Sequence, residues 1–228
     1  MNTIKFILIL FIFISGCARK SAQFSEGKAH FVGYGCNTCH RVGEVGGILG
    51  PDLTTIGFRK KQDWLDLWLK NPPEWKKNTL MPNFYLKDHV RKALVEYLSN
   101  LKGEEFRKDT APWDRPELMQ NPIKRGEVIF NRVGCVGCHA KEGKGRYPNN
   151  NVSGGEIPSL TLVADGFSKE ELKDRIKKGS KPLSQNPHAP DPMIEMPAWG
   201  DYLKEDELDA LVEYLYSLRP ALSAEEAW

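Results

Sequence analysis

Cysteine is scarce in this sequence, and none remains to form a structural disulfide. Four of the five cysteines lie in two copies of one motif, GCNTCH at 35–40 and GCVGCH at 134–139, and the fifth is Cys17. A secreted scaffold held together by disulfides between its loops is therefore excluded.

Strong net charge and long apolar runs are also missing. The formal net charge is +2 over 228 residues, which excludes the basic surface typical of nucleic-acid-binding proteins. The longest apolar run, over 6–14, is shorter than the ~20 residues that a membrane-spanning helix needs. No segment alternates apolar and polar residues as a half-buried strand does, so the sequence predicts an all-α fold.

The N-terminus predicts export and anchoring. The run over 6–14 has the proportions of a signal peptide, and ISGC at 14–17 resembles the lipobox of bacterial lipoproteins. We therefore expect a signal peptide over 1–16, a lipid on Cys17 and a tether over 17–23 on the periplasmic side of the membrane. The alternative is an ordinary signal peptide or uncleaved anchor in which the cysteine is incidental.

The two halves of the chain repeat the same landmarks in the same order. In each half a Phe lies five residues before the first Cys of the motif, a Met-Pro pair follows, and the last helix contains LVEYL. The second half is longer because of two insertions with loop composition, over 141–156 and 181–192. The repeat predicts a first domain over 24–101, a linker over 102–121, a second domain over 122–220 and a tail over 221–228.

Capping signals place two helices of the second half. Asn121-Pro122 combines a capping side chain with a proline suited to the first turn of a helix. Ser168 and Glu171 form a capping-box pattern, and that helix is expected to stop near Gly179.

The two motifs themselves predict covalent haem attachment. Positions i, i+3 and i+4 share one face of a helix, and C-x-x-C-H is the signature of c-type haem binding. The thiols bond to the haem vinyl groups and the imidazole reaches the iron. The residues concerned are Cys36, Cys39 and His40, and Cys135, Cys138 and His139. A zinc site made by both cysteine pairs is the alternative, although the pairs lie far apart in sequence.

Both halves resemble the class I cytochrome c family. In that family a glycine and an aromatic residue of the first helix cross the last helix near its aromatic residue. The matching residues are Gly27, Phe31 and Tyr97, and Gly126, Phe130 and Tyr214. The family's proline, whose carbonyl orients the histidine, matches Pro51 and Pro158, with Ile157 standing where the first half has Gly50. The resemblance implies two domains, each wrapped around one covalently bound haem c.

The resemblance also implies a methionine as the sixth iron ligand in each domain. Met81 and Met196 both precede proline and lie before the last helix. Met193 and His188 are the alternatives in the second domain. Three tryptophans ahead of Met81, at 64, 68 and 75, are expected to pack against the haem edge or the core.

Iron with both a histidine and a methionine ligand has no open position for a substrate. The sequence therefore predicts an electron carrier without catalytic residues, exchanging single electrons between a donor and an acceptor protein of a respiratory chain. The alternatives are a subunit of a larger oxidase or dehydrogenase complex, and a dihaem peroxidase in which one iron loses its methionine.

Charge is divided unevenly between the two halves. Basic residues outnumber acidic ones in the first half, with clusters at 59–61 and 76–77, and the balance is reversed in the second, with a cluster at 205–207. We expect these clusters to face partners of opposite charge.

Overall fold

The structure is a computed structural model that describes residues 22–221. The predicted signal peptide, the lipidated Cys17 and most of the tether and tail lie outside the described residues. Within 22–221 the chain is mostly helical, which confirms the predicted fold class. No helix in that range is long and apolar enough to cross a membrane.

The helices follow one another along the chain, with long connections over 140–162 and 179–204. Those of the first half are α1 (22–33), α2 (Cys36–Cys39), α3 (Ile56–Arg59), α4 (Gln62–Lys70), α5 (Pro72–Trp75) and α6 (Asp88–Ser99). Those that follow are α7 (Glu105–Lys108), α8 (Pro116–Met119), α9 (Pro122–Arg132), α10 (Val136–His139), α11 (Val163–Gly166), α12 (Lys169–Lys178) and α13 (Glu205–Ser217). A two-residue antiparallel pair, β1 (Arg41–Val42) and β2 (Val45–Gly46), follows α2.

Each domain is built on a close crossing of its first and last long helices. A Cβ atom on Gly27 in α1 would lie 2.0 Å from the carbonyl oxygen of Ala93 in α6. A Cβ atom on Gly126 in α9 would lie 1.9 Å from the carbonyl oxygen of Ala210 in α13. Beside the crossings, the ring centres are 5.5 Å apart for Phe31 and Tyr97 and 5.4 Å apart for Phe130 and Tyr214. Both crossings implied by the resemblance are confirmed.

Replacing Gly27 by alanine is expected to destabilise the first domain. The added methyl group overlaps the backbone of α6, and forcing such an overlap costs roughly 1–3 kcal/mol of unfolding free energy. Gly33→Ala in the same helix is the matched control, because a Cβ atom there meets nothing within 4 Å. Thermal unfolding of the two variants measures the difference. Equal melting temperatures would contradict the tight crossing.

The capping predictions for the second domain are confirmed. The Asn121 side chain accepts a hydrogen bond from the backbone N–H of Lys124 at the start of α9. Ser168 and Glu171 form both bonds of a capping box at the start of α12. That helix ends at Lys178, and Gly179 follows it with a φ of +69°, a backbone angle that favours glycine.

The segment between the repeats is packed rather than free. It contains α7 and α8, and Phe106, Ala111 and Trp113 are buried in the core of the second domain. The Trp113 indole donates a hydrogen bond of 2.7 Å to Glu207, and the tryptophan is 0% exposed. The charged composition of 102–121 predicts an exposed linker and gives no sign of these three apolar side chains. They are buried because they pack into the core of the second domain.

The two insertions of the second domain are joined by three consecutive asparagines. Each asparagine side chain both donates a hydrogen bond to the backbone of the stretch 186–194 and accepts one from it, at distances between 2.8 and 3.1 Å. Asn149 bonds to Ile194, Asn150 bonds to Asp191 and Met193, and Asn151 bonds to Asn186. Backbone in a loop without regular partners needs such side chains to satisfy its hydrogen bonds. The insertions are therefore loops with a defined shape.

The two domains share a packed junction. Ile194 of the second domain is buried in the core of the first, and Phe58 of the first packs on Trp199 with ring centres 5.1 Å apart. Arg132 forms a salt bridge of 2.9 Å with Asp52 across the junction. The second domain thus contributes directly to the surroundings of the first.

Candidate functional site

The first motif lines a mostly apolar cavity of the first domain. Gly35, with a φ of +69°, turns the chain from α1 into α2. The side chains of Cys36, Cys39 and His40 all line this cavity of about 490 Å³. Burial raises the pKa of the Cys36 thiol, so this thiol is uncharged at neutral pH. A neutral thioether suits this apolar setting better than a thiolate does.

The imidazole of His40, which lines the cavity, is held by a backbone carbonyl. Its Nδ1 lies 2.8 Å from the carbonyl oxygen of Pro51. A carbonyl oxygen only accepts, so Nδ1 carries the hydrogen and the Nε2 lone pair is free to bind a metal. Burial lowers the pKa of His40 and favours this neutral form. Gly50 leaves room for the ring, since a Cβ atom there would lie 2.5 Å from His40 Cε1.

Met81, Trp64 and Trp68 line the same cavity. The Trp68 indole donates a hydrogen bond of 3.0 Å to the Met81 sulfur. Trp64 stacks on Trp68 with ring centres 5.3 Å apart, and Trp75 packs edge-on against Trp64. The structure therefore brings Met81 to the cavity that His40 lines, and it fixes the sulfur through a contact that the sequence did not reveal.

The second motif repeats the buried histidine and its carbonyl partner, with a longer contact. Burial raises the pKa of Cys135 to about 12 and lowers the pKa of His139. His139 Nδ1 lies 3.3 Å from the carbonyl oxygen of Pro158, against 2.8 Å in the first domain. Ile157, which replaces the glycine of the first half, packs against the core cluster of the first domain.

The structure separates the three ligand candidates of the second domain. Met196 packs against the core of the second domain, and its backbone pairs with Ser180. Met193 packs against the core cluster of the first domain instead. His188 is exposed within the second insertion. Their positions favour Met196.

No three His, Cys, Asp or Glu side chains converge as a metal-binding cluster within 22–221. The two cysteine pairs therefore do not form the shared four-cysteine zinc site that was the alternative. Each pair instead has its own histidine, whose ring nitrogen binds a carbonyl oxygen of the same domain.

Two protein families match the chain, and each covers one half. The family described as Cytochrome c matches residues 24–102, and that described as Cytochrome C oxidase, cbb3-type, subunit III matches residues 121–215. The chain belongs to the class I cytochrome c family. It carries two cytochrome c domains in tandem, which together imply two covalently bound haem c groups with iron.

Two relatives share sequence with this cytochrome. Cytochrome c6 of Euglena gracilis is 29% identical over 87 residues, which cover 36% of this chain and 78% of that protein. Cytochrome c oxidase subunit 2 of Bacillus sp. (strain PS3) is 28% identical over 105 residues, which cover 46% of this chain and 28% of that protein. The match thus spans little more than a quarter of the oxidase subunit. No solved structure matches the chain significantly.

The residues present fit haem c in the first domain. The cavity is mostly apolar, and two thiols, an imidazole with a free nitrogen and a thioether line it. Lys60, whose buried amino group has no hydrogen-bond partner among residues 22–221, also lines it. Haem brings an iron, vinyl groups and carboxylates. The imidazole and the methionine thioether can bind the iron, the two thiols can bond to the vinyl groups, and the Lys60 amino group can pair with a carboxylate.

The predicted charge clusters are partly buried, while Lys61, Lys77, Glu205 and Asp206 are exposed. Arg59 and Lys60 are buried, and only Lys61 of that cluster is exposed, where it pairs with Glu195. In the acidic cluster, Glu207 is fully buried and binds the guanidinium of Arg107 at 2.8 Å. A run of like charge looks like surface in a sequence, but part of each cluster is buried in contacts that the sequence does not display. Whether the exposed members dock a partner stays a prediction.

Proposed function

We propose that this chain is an exported, membrane-tethered dihaem cytochrome that passes single electrons between respiratory partners. Haem c supplies an iron that gains and loses one electron. The proposed attachment and ligand residues are Cys36, Cys39, His40 and Met81 in the first domain, and Cys135, Cys138, His139 and Met196 in the second. The domains are proposed to extend over 24–101 and 122–220, and the chain has no catalytic residues.

The observation that carries this proposal is the pairing of His40 and Met81 around one cavity. Pro51 orients the imidazole and Trp68 orients the sulfur, so both ligands are positioned by the folded chain. Prepositioned ligands keep an iron six-coordinate in both oxidation states, which favours rapid electron exchange and excludes substrate.

The partners are proposed to belong to a respiratory chain. The second domain matches a family named for a subunit of a cbb3-type oxidase, and a relative is named as an oxidase subunit. These similarities support either a free carrier that meets an oxidase or a subunit that remains bound to one. Purification of the native protein from membranes in mild detergent distinguishes the two, because a subunit retains a partner in fixed ratio.

Anchoring is proposed to depend on Cys17. Replacing Cys17 by alanine removes the only side chain that a lipobox offers for lipid attachment, so the variant is expected to leave the membrane fraction or to keep its signal peptide. Fractionation and intact mass of the wild type and the variant measure this. A variant that is processed and fractionates like the wild type would contradict the lipid anchor.

A further inference from the structure

Lys60 carries a buried amino group that the described chain leaves unsatisfied. The residue directly follows α3, is 6% exposed, and its Nζ has no hydrogen-bond partner among residues 22–221. Burying an ammonium group without a partner is strongly unfavourable. A residue of this kind indicates a ligand that supplies the missing negative charge.

The neighbours of Lys60 within the chain do not supply it. Its Nζ lies 4.3 Å from the centre of the Trp64 ring and 5.5 Å from that of the Tyr147 ring. Such cation–π contacts offset only part of the lost hydration. The sulfur of Cys138, from the second motif, is also close to Lys60, but as a thioether it carries no charge. The adjacent Arg59 is a second buried cation, and it adds repulsion. No carboxylate of the described residues pairs with Lys60.

The position of Lys60 connects the unpaired charge to the first domain's cavity. Lys60 lines that cavity together with His40 and Met81. Tyr147, which comes from the first insertion of the second domain, lines the same cavity beside Lys60. Lys60 is thus enclosed by both domains and kept from solvent.

We propose that Lys60 forms an ion pair with a carboxylate of the haem bound in the first domain, and that this charge raises the midpoint potential of that haem. The proposal rests on the proposed attachment at Cys36 and Cys39. Haem carries two propionate carboxylates, and the cavity contains a cation without an anion. A positive charge held near the iron in a poorly hydrated site favours the reduced state, because reduction adds one negative charge.

The test is a redox titration of the holoprotein with Lys60 replaced by methionine. Loss of one buried charge is expected to lower the equilibrium constant for reduction of the first haem about tenfold, or about 59 mV for a one-electron couple. The first haem is identified in a Met81→His variant, since a second histidine ligand lowers the potential of the iron it binds. The midpoint potential of the second haem is expected to change less than that of the first.

Two control variants separate this effect from general loss of charge. Lys77→Met removes a positive charge from an exposed position of the same domain, where water and salt screen it, and is expected to leave both potentials nearly unchanged. Lys60→Arg keeps the charge, so the midpoint potential of the first haem is expected to stay close to the wild-type value. If Lys60→Met does not hold both haems, Lys60→Gln, which keeps a polar end, is titrated in its place.

The outcomes distinguish the ion pair from the proposed function. A wild-type protein with fewer than two haems would overturn the attachment residues before any potential is compared. With two haems present, a first-haem potential that falls no further in Lys60→Met than in Lys77→Met would overturn the ion pair alone. A fall confined to the second haem would overturn the assignment to the first domain.

Discussion

A chain with Cys36 and Cys39 both replaced by serine is expected to carry one haem instead of two. Serine oxygen does not form the thioether that a cysteine sulfur forms, so the first domain loses covalent attachment while the second keeps it. The mass of the denatured protein measures attachment directly, because only covalently bound haem survives denaturation. The native chain is expected to show two added haem masses and the variant one.

The second cysteine pair provides the matched control. Replacing Cys135 and Cys138 by serine is expected to remove the other haem and leave the first, and the fourfold variant is expected to carry none. Cys17→Ala, which changes the cysteine outside the motifs, is expected to retain both. Two haems on the Cys36/Cys39 variant, or none on the native chain, would contradict the attachment residues.

Replacing Met81 by alanine is expected to open one iron to carbon monoxide. The native reduced protein binds the gas poorly if both irons keep a methionine, and the oxidised protein shows the weak near-infrared band of Met–iron bonding. Removing the Met81 sulfur leaves one coordination position free, so about half of the haem should bind carbon monoxide and about half of the band should disappear. Absorption spectra of the reduced and oxidised protein measure both changes.

The second domain supplies its own control for this experiment. Met196→Ala is expected to open the other iron, whereas Met193→Ala is expected to leave the spectra unchanged, since Met193 packs against the core cluster of the first domain. Ready binding of carbon monoxide by the native protein would contradict the six-coordinate proposal and favour a peroxidase. Opening by Met193→Ala alone would contradict the choice of Met196.

The sequence by itself determined the family, the fold class and the presence of two haem-binding motifs. Each rests on short-range spacing: Cys36, Cys39 and His40 lie within one turn and a half of helix, and the landmarks around them recur in order in the second half. The helix caps at Asn121 and Ser168 were predictable for the same reason, because a cap is formed between residues three apart.

The tertiary structure alone decided which charges are buried and how the domains join. Arg59, Lys60 and Glu207 look like surface in the sequence, yet they are buried because Tyr147, Trp113 and other distant residues cover them. Contacts between residues that lie far apart in the chain produce no periodic pattern in the sequence. Neither the Trp68–Met81 hydrogen bond nor the hydrogen bonds of the three consecutive asparagines were therefore predictable. Local spacing specified the haem sites, whereas burial, which depends on the whole packed chain, set their electrostatic surroundings.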